Sequence, residues 1–376
     1  MDTYIKSPND RQFIFNLNWA LLGLALMLFG LGVLNLYSAS SLRLEEGLTL
    51  TPFYKRQLVW GLIGLGGMIV CMVFDYRHLE ILAWPLFLAA LVLLLIVPFW
   101  GKTIYGAKRW VSLGVLNVQP SEVAKVAVLV LGARMLAKVS GPLGWRGLGK
   151  VMCMVLVPAA LIAVQPDLGS ALNLVLLAGG MLLFKGIRKD VFKVLAFLIP
   201  AVLPFGWFFL HDYQKQRILS FLSPGQDPLG AGYHIIQSEI AIGSGKLWGK
   251  GFLSGTQSQL RFIPEKHTDF ALAVFGEEWG FAGCVVLLSL FCLFLYQTTL
   301  VAQSSKDGFG TFLAAGVFWY FFWQVLINMG MVLGLMPVVG IPLPFISYGG
   351  SSTLVNFCLI GLVLNVSMRR FVFKKS

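Results

Sequence analysis

The side chains able to do chemistry collect in five short motifs. These are Tyr105-Gly-Ala-Lys-Arg-Trp110, Gln119-Pro-Ser-Glu-Val-Ala-Lys125, Gln165-Pro-Asp-Leu-Gly169, Glu265-Lys-His-Thr-Asp-Phe270 and Gly340-Ile-Pro-Leu-Pro-Phe-Ile-Ser-Tyr-Gly-Gly-Ser-Ser352. Among their side chains are the carboxylates Glu122, Asp167 and Asp269, with the cations Lys108, Arg109 and Lys125. Asp269 opens a long apolar run. At that position the helix dipole keeps a carboxylate ionised, as a general base requires, although a plain helix-start residue would look the same. Lys108-Arg109-Trp110 reads either as an interfacial anchor or as a phosphate clamp, since Arg can bind phosphate bidentately. Glu122 and Lys125 lie three apart, on one face of a helix. Either they compensate each other, or Lys125 offers a positive charge next to Glu122 and Asp167. Glu277 and Glu278 follow Asp269, and one of them can face a cation inside the bundle.

The elements that must position these groups are membrane helices. Of 376 residues, 57% are apolar and only 12% charged, about half the charge of a soluble domain. The apolar runs are continuous, which excludes a soluble enzyme, a disulfide scaffold and an outer-membrane barrel of alternating strands. Ten spans are expected, near 17–38, 57–74, 80–99, 120–138, 151–166, 169–185, 191–210, 269–300, 310–336 and 350–368. The fold class is therefore an all-α polytopic membrane protein, one transmembrane domain over 1–376, with a large loop at 211–268 between the seventh and eighth spans. The first run, Leu17 to Leu36, is too long for a cleaved signal peptide and reads as a span. Pro166-Asp167 alone separates the fifth and sixth.

Net charge is +12, and it follows the positive-inside rule rather than a nucleic-acid footprint. Lys6 and Arg11, Arg134 to Lys150, Lys185 to Lys193 and Arg369 to Lys375 fall on one side. The opposite short loops hold fewer, from Arg43 to Arg109. Both termini are then cytoplasmic, and the five motifs face outward from the cytoplasmic (inner) membrane. Within 211–268, Ile235, Ile236, Ile240 and Ile242 suggest a short interfacial helix. Gly243-Ser-Gly-Lys-Leu-Trp-Gly-Lys-Gly251 departs from the nucleotide phosphate-loop pattern and reads as a flexible turn. His211, His234 and His267 lack metal-ligand spacing, and the five cysteines read as small buried hydrophobes.

These motifs resemble the SEDS family (shape, elongation, division and sporulation proteins) over essentially the whole chain, in the family's order. The wording at Glu265-Lys266-His267 and at 340–344 is closer to the elongation branch than to the division branch. The resemblance implies a ten-helix fold and peptidoglycan glycosyltransferase activity on lipid II. It also implies Asp269 as the essential catalytic residue and a class B penicillin-binding protein as transpeptidase partner, beside other elongation-complex membrane proteins. Lys108, Arg109, Lys125, Glu122, Asp167, His267 and Ser347 would bind the substrate and its pyrophosphate. Glu122 and Asp167 could hold a divalent cation, Mg or Mn. A lipid II flippase and a recruiting scaffold are the competing functions.

Overall fold

The computed structural model describes residues 16–45, 52–104, 107–113, 116–210, 212–226, 230–260, 262–263 and 265–370. The described residues are mostly helical, at 77%. Ten helices of eighteen residues or more occur among the described residues. They are α1 (Trp19–Glu45), α2 (Phe53–Val73), α3 (Arg77–Trp100), α4 (Pro120–Ala137), α5 (Trp145–Val164), α6 (Leu168–Lys185), α7 (Lys189–Gly206), α10 (Ala271–Ser304), α11 (Gly308–Val332) and α12 (Gly350–Arg369). Eight are long and apolar enough to cross a membrane. The other two, α4 and α7, each carry three charged side chains. The expected hairpin is present: α5 ends at Val164 and α6 starts at Leu168, with Asp167 capping α6 through Ser170 N.

Two features differ from an all-α reading. Between α3 and α4 the chain forms a three-stranded antiparallel sheet, β1 (Lys102–Ile104), β2 (Ala107–Leu113) and β3 (Leu116–Val118). Strands of three residues are too short to leave a periodic signal in sequence. The 211–268 segment is also structured, with α8 (Asp212–Leu222), α9 (Ala231–Ser244) and a single turn at Thr256–Gln259. The expected interfacial helix is α9. It packs along α10 and touches α11, where Ser238 Oγ donates to Val332 O at 2.9 Å.

Small residues set how closely the helices approach. Along α2, an added Cβ at Gly64 would meet the Phe357 ring at 2.7 Å and one at Gly67 would meet Cys358 Sγ at 2.8 Å, so α2 lies flush against α12. Close backbone approach through small residues is the usual route to helix association in lipid, where burial alone supplies no drive. The centre of the bundle is α11 with α4, α6 and α12 around it. Tyr320, Phe321 and Phe357 are fully enclosed there.

Helix α10 is interrupted. Gly280 has φ 66° and ψ −166°, so the helix stops and restarts with a new direction. The backbone groups released by the break are taken up by residues 244–251. Phe281 N donates to Lys246 O at 2.9 Å and Ala282 N to Leu247 O at 3.0 Å. In return Lys250 N donates to Glu277 O at 3.1 Å and Gly251 N to Glu278 O at 3.0 Å. The expected flexible turn is thus a wedge seated in the helix break. An added Cβ at Gly280 would stand 2.3 Å from Gly249 N. Gly280→Ala should therefore cost at least about 1–3 kcal/mol, seen as a lower thermal unfolding temperature in detergent. Gly66→Ala, whose Cβ meets nothing within 4 Å, should melt at or slightly above wild type. Equal melting of the two variants would remove the strain assigned to the break.

Candidate active site

At one end of the bundle, four segments distant in sequence meet around Asp269. Its main-chain oxygen accepts from Asn328 Nδ2 at 2.9 Å, and the same amide donates to Ile341 O at 2.8 Å, so one α11 side chain ties Asp269 to the 338–349 loop. That loop approaches closely: an added Cβ at Gly340 would lie 3.4 Å from Asp269 Oδ2, and one at Gly169 would meet Val339 O at 2.2 Å. The α5–α6 turn is thereby pressed against the same loop. On its other side the turn is held by β2. Arg109 Nε donates to Gln165 O at 3.3 Å and its Nη2 donates to Pro166 O. Gln119 Nε2 donates to Asp167 Oδ2 at 3.2 Å. The 338–349 loop itself holds Phe345 at φ 65°, in the left-handed region, with its ring packed among Phe294, Phe321 and Phe357.

Asp269 precedes α10 rather than capping it. The N-cap position is Phe270, and no side chain caps the helix. The carboxyl of Asp269 is half-buried and is pushed up to about 6. Burial is the largest cause; Glu265 and Asp167 raise it further, and Arg217 and Arg109 oppose them. A carboxyl near 6 is ionised at neutral pH yet basic enough to take a proton. Arg217, on α8, and Asn328 are site neighbours that the motifs did not single out.

The part of α10 before the break, Ala271 to Trp279, fixes the approach to Asp269. Asn35 Nδ2 on α1 donates to Ala271 O at 2.8 Å. Glu277 is fully buried at the far end of the segment. Its carboxylate accepts from Lys250 Nζ at 2.7 Å, Thr256 Oγ1 at 3.2 Å, Gln257 N at 2.8 Å and Ser258 N at 3.1 Å. Of the two adjacent glutamates, it is Glu277 that faces a cation; Glu278 accepts from Ser38 Oγ.

The remaining sequence-predicted residues are placed as follows. Lys108 is exposed and Nζ donates to Pro98 O at 3.3 Å, at the end of α3. Glu122 and Lys125 lie inside the bundle, both buried, with Nζ 2.6 Å from Oε1. Glu122 Oε2 also accepts from Tyr320 OH at 3.2 Å, the Asn356 side-chain amide lies 3.1 Å from the same hydroxyl, and Lys125 Nζ lies 5.5 Å from the Tyr320 ring centroid. These contacts favour the self-compensating alternative for the pair. His267 stacks on Phe53 at 3.9 Å and its carbonyl accepts from Tyr348 N at 2.8 Å. Ser347 is buried, and its Oγ accepts from Leu343 N at 2.9 Å, closing a turn of the 338–349 loop. Tyr105, Gly106, His211 and Pro264 lie outside the described residues. For a divalent cation the donor set does not fit. Glu122 is engaged by Lys125 and Tyr320, Asp167 by Gln119 and Ser170. No group of three or more His, Cys, Asp or Glu suited to a metal occurs among the described residues.

A polytopic helical bundle with a carboxylate and an arginine at one end is the class the fold and site define. Residues 18–371 match the FtsW/RodA/SpoVE family of cell cycle proteins, and the chain belongs to that family. The peptidoglycan glycosyltransferase MrdB of Escherichia coli (strain K12) is 43% identical over 316 residues, 84% of this chain and 85% of the relative. A probable peptidoglycan glycosyltransferase FtsW of Geobacter metallireducens is 39% identical over 359 residues, 93% of each chain. Among solved structures, a chain of a peptidoglycan synthase complex that coordinates polymerization and crosslinking superposes with a TM-score of 0.81, at 31% identity, covering 95% of this chain and 99% of that one. The rod shape determining protein RodA of Thermus thermophilus gives a TM-score of 0.70 at 29% identity, covering 94% and 98%.

The buried pair makes a test that separates structure from chemistry. Lys125→Met alone strands a buried carboxylate and should cost about 3–5 kcal/mol. Glu122→Gln/Lys125→Met should melt near wild type, since a glutamine amide still meets Tyr320, and should polymerise glycan normally. A folded but inactive double variant would return both residues to the site.

Proposed function

We propose that the chain is a peptidoglycan glycosyltransferase of cell elongation and rod shape that polymerises lipid II, with Asp269 as general base. The observation that carries this reading is Asp269 itself: outside the helix, half-buried, raised to about 6, and ringed by Arg109, Arg217, Asp167 and Glu265. The donor is a growing glycan on a polyprenyl pyrophosphate. The acceptor is lipid II, whose GlcNAc 4-hydroxyl attacks C1 of the donor MurNAc. The new C1–O4 bond forms as the C1–O bond to the pyrophosphate breaks, inverting the anomeric carbon. The hydroxyl proton passes to the Asp269 carboxylate, and the bonding electrons leave with the pyrophosphate.

Arg109 is the cation we assign to that leaving group. Two of its five N–H donors are drawn to the Gln165 and Pro166 carbonyls, which fixes the plane of the guanidinium. A preset cation costs no reorganisation as charge develops. Lys108 stands beside it in β2, at the end of α3. Arg217 would add a second guanidinium on the side of α8. Glu122 and Lys125 are kept as the internal pair that shapes the bundle, and no step is routed through a metal. His267 and Ser347 support the walls of the site, His267 through Phe53 and Ser347 through the 338–349 turn.

We read the chain as one domain, 1–376, with ten spans, both termini cytoplasmic and 211–268 on the periplasmic side. On this reading α4 and α7 also cross the membrane, α4 because the charges of its first two turns pair inside the bundle. The partner is a class B penicillin-binding protein, which would crosslink the strand made here; the likeness to a synthase complex chain supports it. Other elongation-complex membrane proteins would join them, and no nucleic acid is involved. A flippase would need its charges near the bilayer midplane with alternating access. The Asp269 cluster lies at one end of the bundle, which favours transfer chemistry.

Asp269→Asn keeps size and should fold and bind its partner, while polymerisation of lipid II falls about 10²-fold or more. In the wild type, only the carboxylate form accepts a proton. The rate should thus rise with pH through about 6 and level off above it. A purified Asp269→Asn protein polymerising at wild-type rate would end the general-base assignment. Orientation has its own measurement. Leu260 is exposed in the 211–268 segment. In a background without the five native cysteines, Leu260→Cys should react with an impermeant thiol reagent in intact spheroplasts. Labelling only after lysis would invert the topology.

A further inference from the structure

The reaction brings together two lipid-linked glycans, and the role assigned to Arg109 serves one pyrophosphate, the donor's. The donor's pyrophosphate leaves from the carbon under attack, so it must lie next to Asp269. The acceptor's pyrophosphate is separated from the attacking hydroxyl by two sugar rings, so it must rest elsewhere on the same membrane face.

The wedge at residues 244–251 has the features such a place needs. Lys246, Leu247 and Trp248 form its exposed tip, with Trp248 79% and Leu247 52% exposed. The backbone beneath them is fixed. Lys246 holds a φ of 50°, and the carbonyls of Lys246 and Leu247 are bonded to the restarted α10. A recess of about 560 Å³ lies along Ser244 to Lys250. Lys250 is drawn to Glu277, whereas Lys246 is exposed, two residues before the exposed Trp248. The depth also fits. Residues 281–304 of α10 span about 36 Å, enough for a hydrocarbon core of about 30 Å, so the break and the tip sit at the interface. Trp and Lys are the side chains suited to that layer. From Ala271 to Gly280 the helix runs about 13 Å, which sets the tip a short glycan away from Asp269.

We infer that the 244–251 wedge is the diphosphate site for the acceptor lipid, with Lys246 on the phosphates and Trp248 against the first part of the polyprenyl chain. This rests on the reading of Asp269 and Arg109 given above. The same phosphate chemistry is offered by bulk anionic phospholipid, and the occupant we assign is the acceptor's diphosphate.

The test uses two lipid II analogues and the protein purified with its transpeptidase partner in vesicles. One analogue has its GlcNAc 4-hydroxyl epimerised and can only donate. The other carries a non-cleavable C1 phosphonate and can only accept. Lys246→Ala and Trp248→Ala change exposed side chains and should melt with wild type. Each should raise KM for the accepting analogue about 10-fold, the loss of one charge-assisted or stacking contact. The donor KM should be unchanged and kcat should hold within about 2-fold. Arg109→Gln should show the reverse pattern. The acceptor effect should persist in vesicles of phosphatidylcholine alone. Equal shifts in both KM values, no shift, or a shift present only with phosphatidylglycerol would overturn the assignment, the last by showing that the tip binds bulk lipid. A wild-type protein that couples the analogues while both variants behave normally sinks the wedge site alone. A wild-type protein that cannot couple them sinks the transferase reading with it.

Discussion

Backbone groups freed by a broken helix have few partners at a membrane, and each one left unpaired costs several kcal/mol. The break at Gly280 meets that constraint by borrowing hydrogen bonds from residues 244–251, in both directions. Buried Glu277 then ties Lys250 of the borrowed segment, and Thr256, Gln257 and Ser258 beyond it, to the same short helix. The orientation of Ala271 to Trp279 follows from this, and the position of Asp269 follows from that orientation. Asn35 and Asn328 hold the other end of the same short helix by its backbone. Asp269 is thus fixed by main-chain contacts, which leaves its carboxylate for chemistry.

The surroundings of that carboxylate come from pieces that are far apart in the chain. Arg109 arrives on a strand, Asp167 on a helix cap, Asn328 from the middle of the sequence of α11 toward its end, and Gly340 on an irregular loop. Irregular backbone at membrane depth is tolerated where it is enclosed by protein. The 338–349 loop satisfies this condition, with Ile341, Leu343, Phe345 and Ile346 all buried. Its left-handed Phe345 is held by three aromatic neighbours, so local strain is offset by packing.

Much of this was legible in the residues. Length and hydropathy placed the long helices, because a membrane helix needs a continuous apolar run and shows it. The Pro166-Asp167 hairpin and the α9 helix were readable from turn chemistry and apolar spacing. Asp269 was readable as a carboxylate at the mouth of a span. The sheet around Arg109 was not, since its strands are three to seven residues long. The 244–251 wedge reads as a flexible turn because glycine-rich sequence signals freedom, while in the fold Gly245 and Gly249 permit close approach to the backbone of 276–280. The partner of Lys125 was one of two readings left open by spacing. Tyr320 and Asn356, which join that pair, come from helices remote in sequence and carry no local signal.

The neutrality of the Glu122–Lys125 pair has an electrical consequence. A bacterial membrane holds a voltage, and a lone charge crossing it exchanges about 2.3 kcal/mol per 100 mV. Two opposite charges 2.6 Å apart feel almost equal and opposite forces in such a field. Depolarising or hyperpolarising the cell therefore exerts almost no net force on this pair.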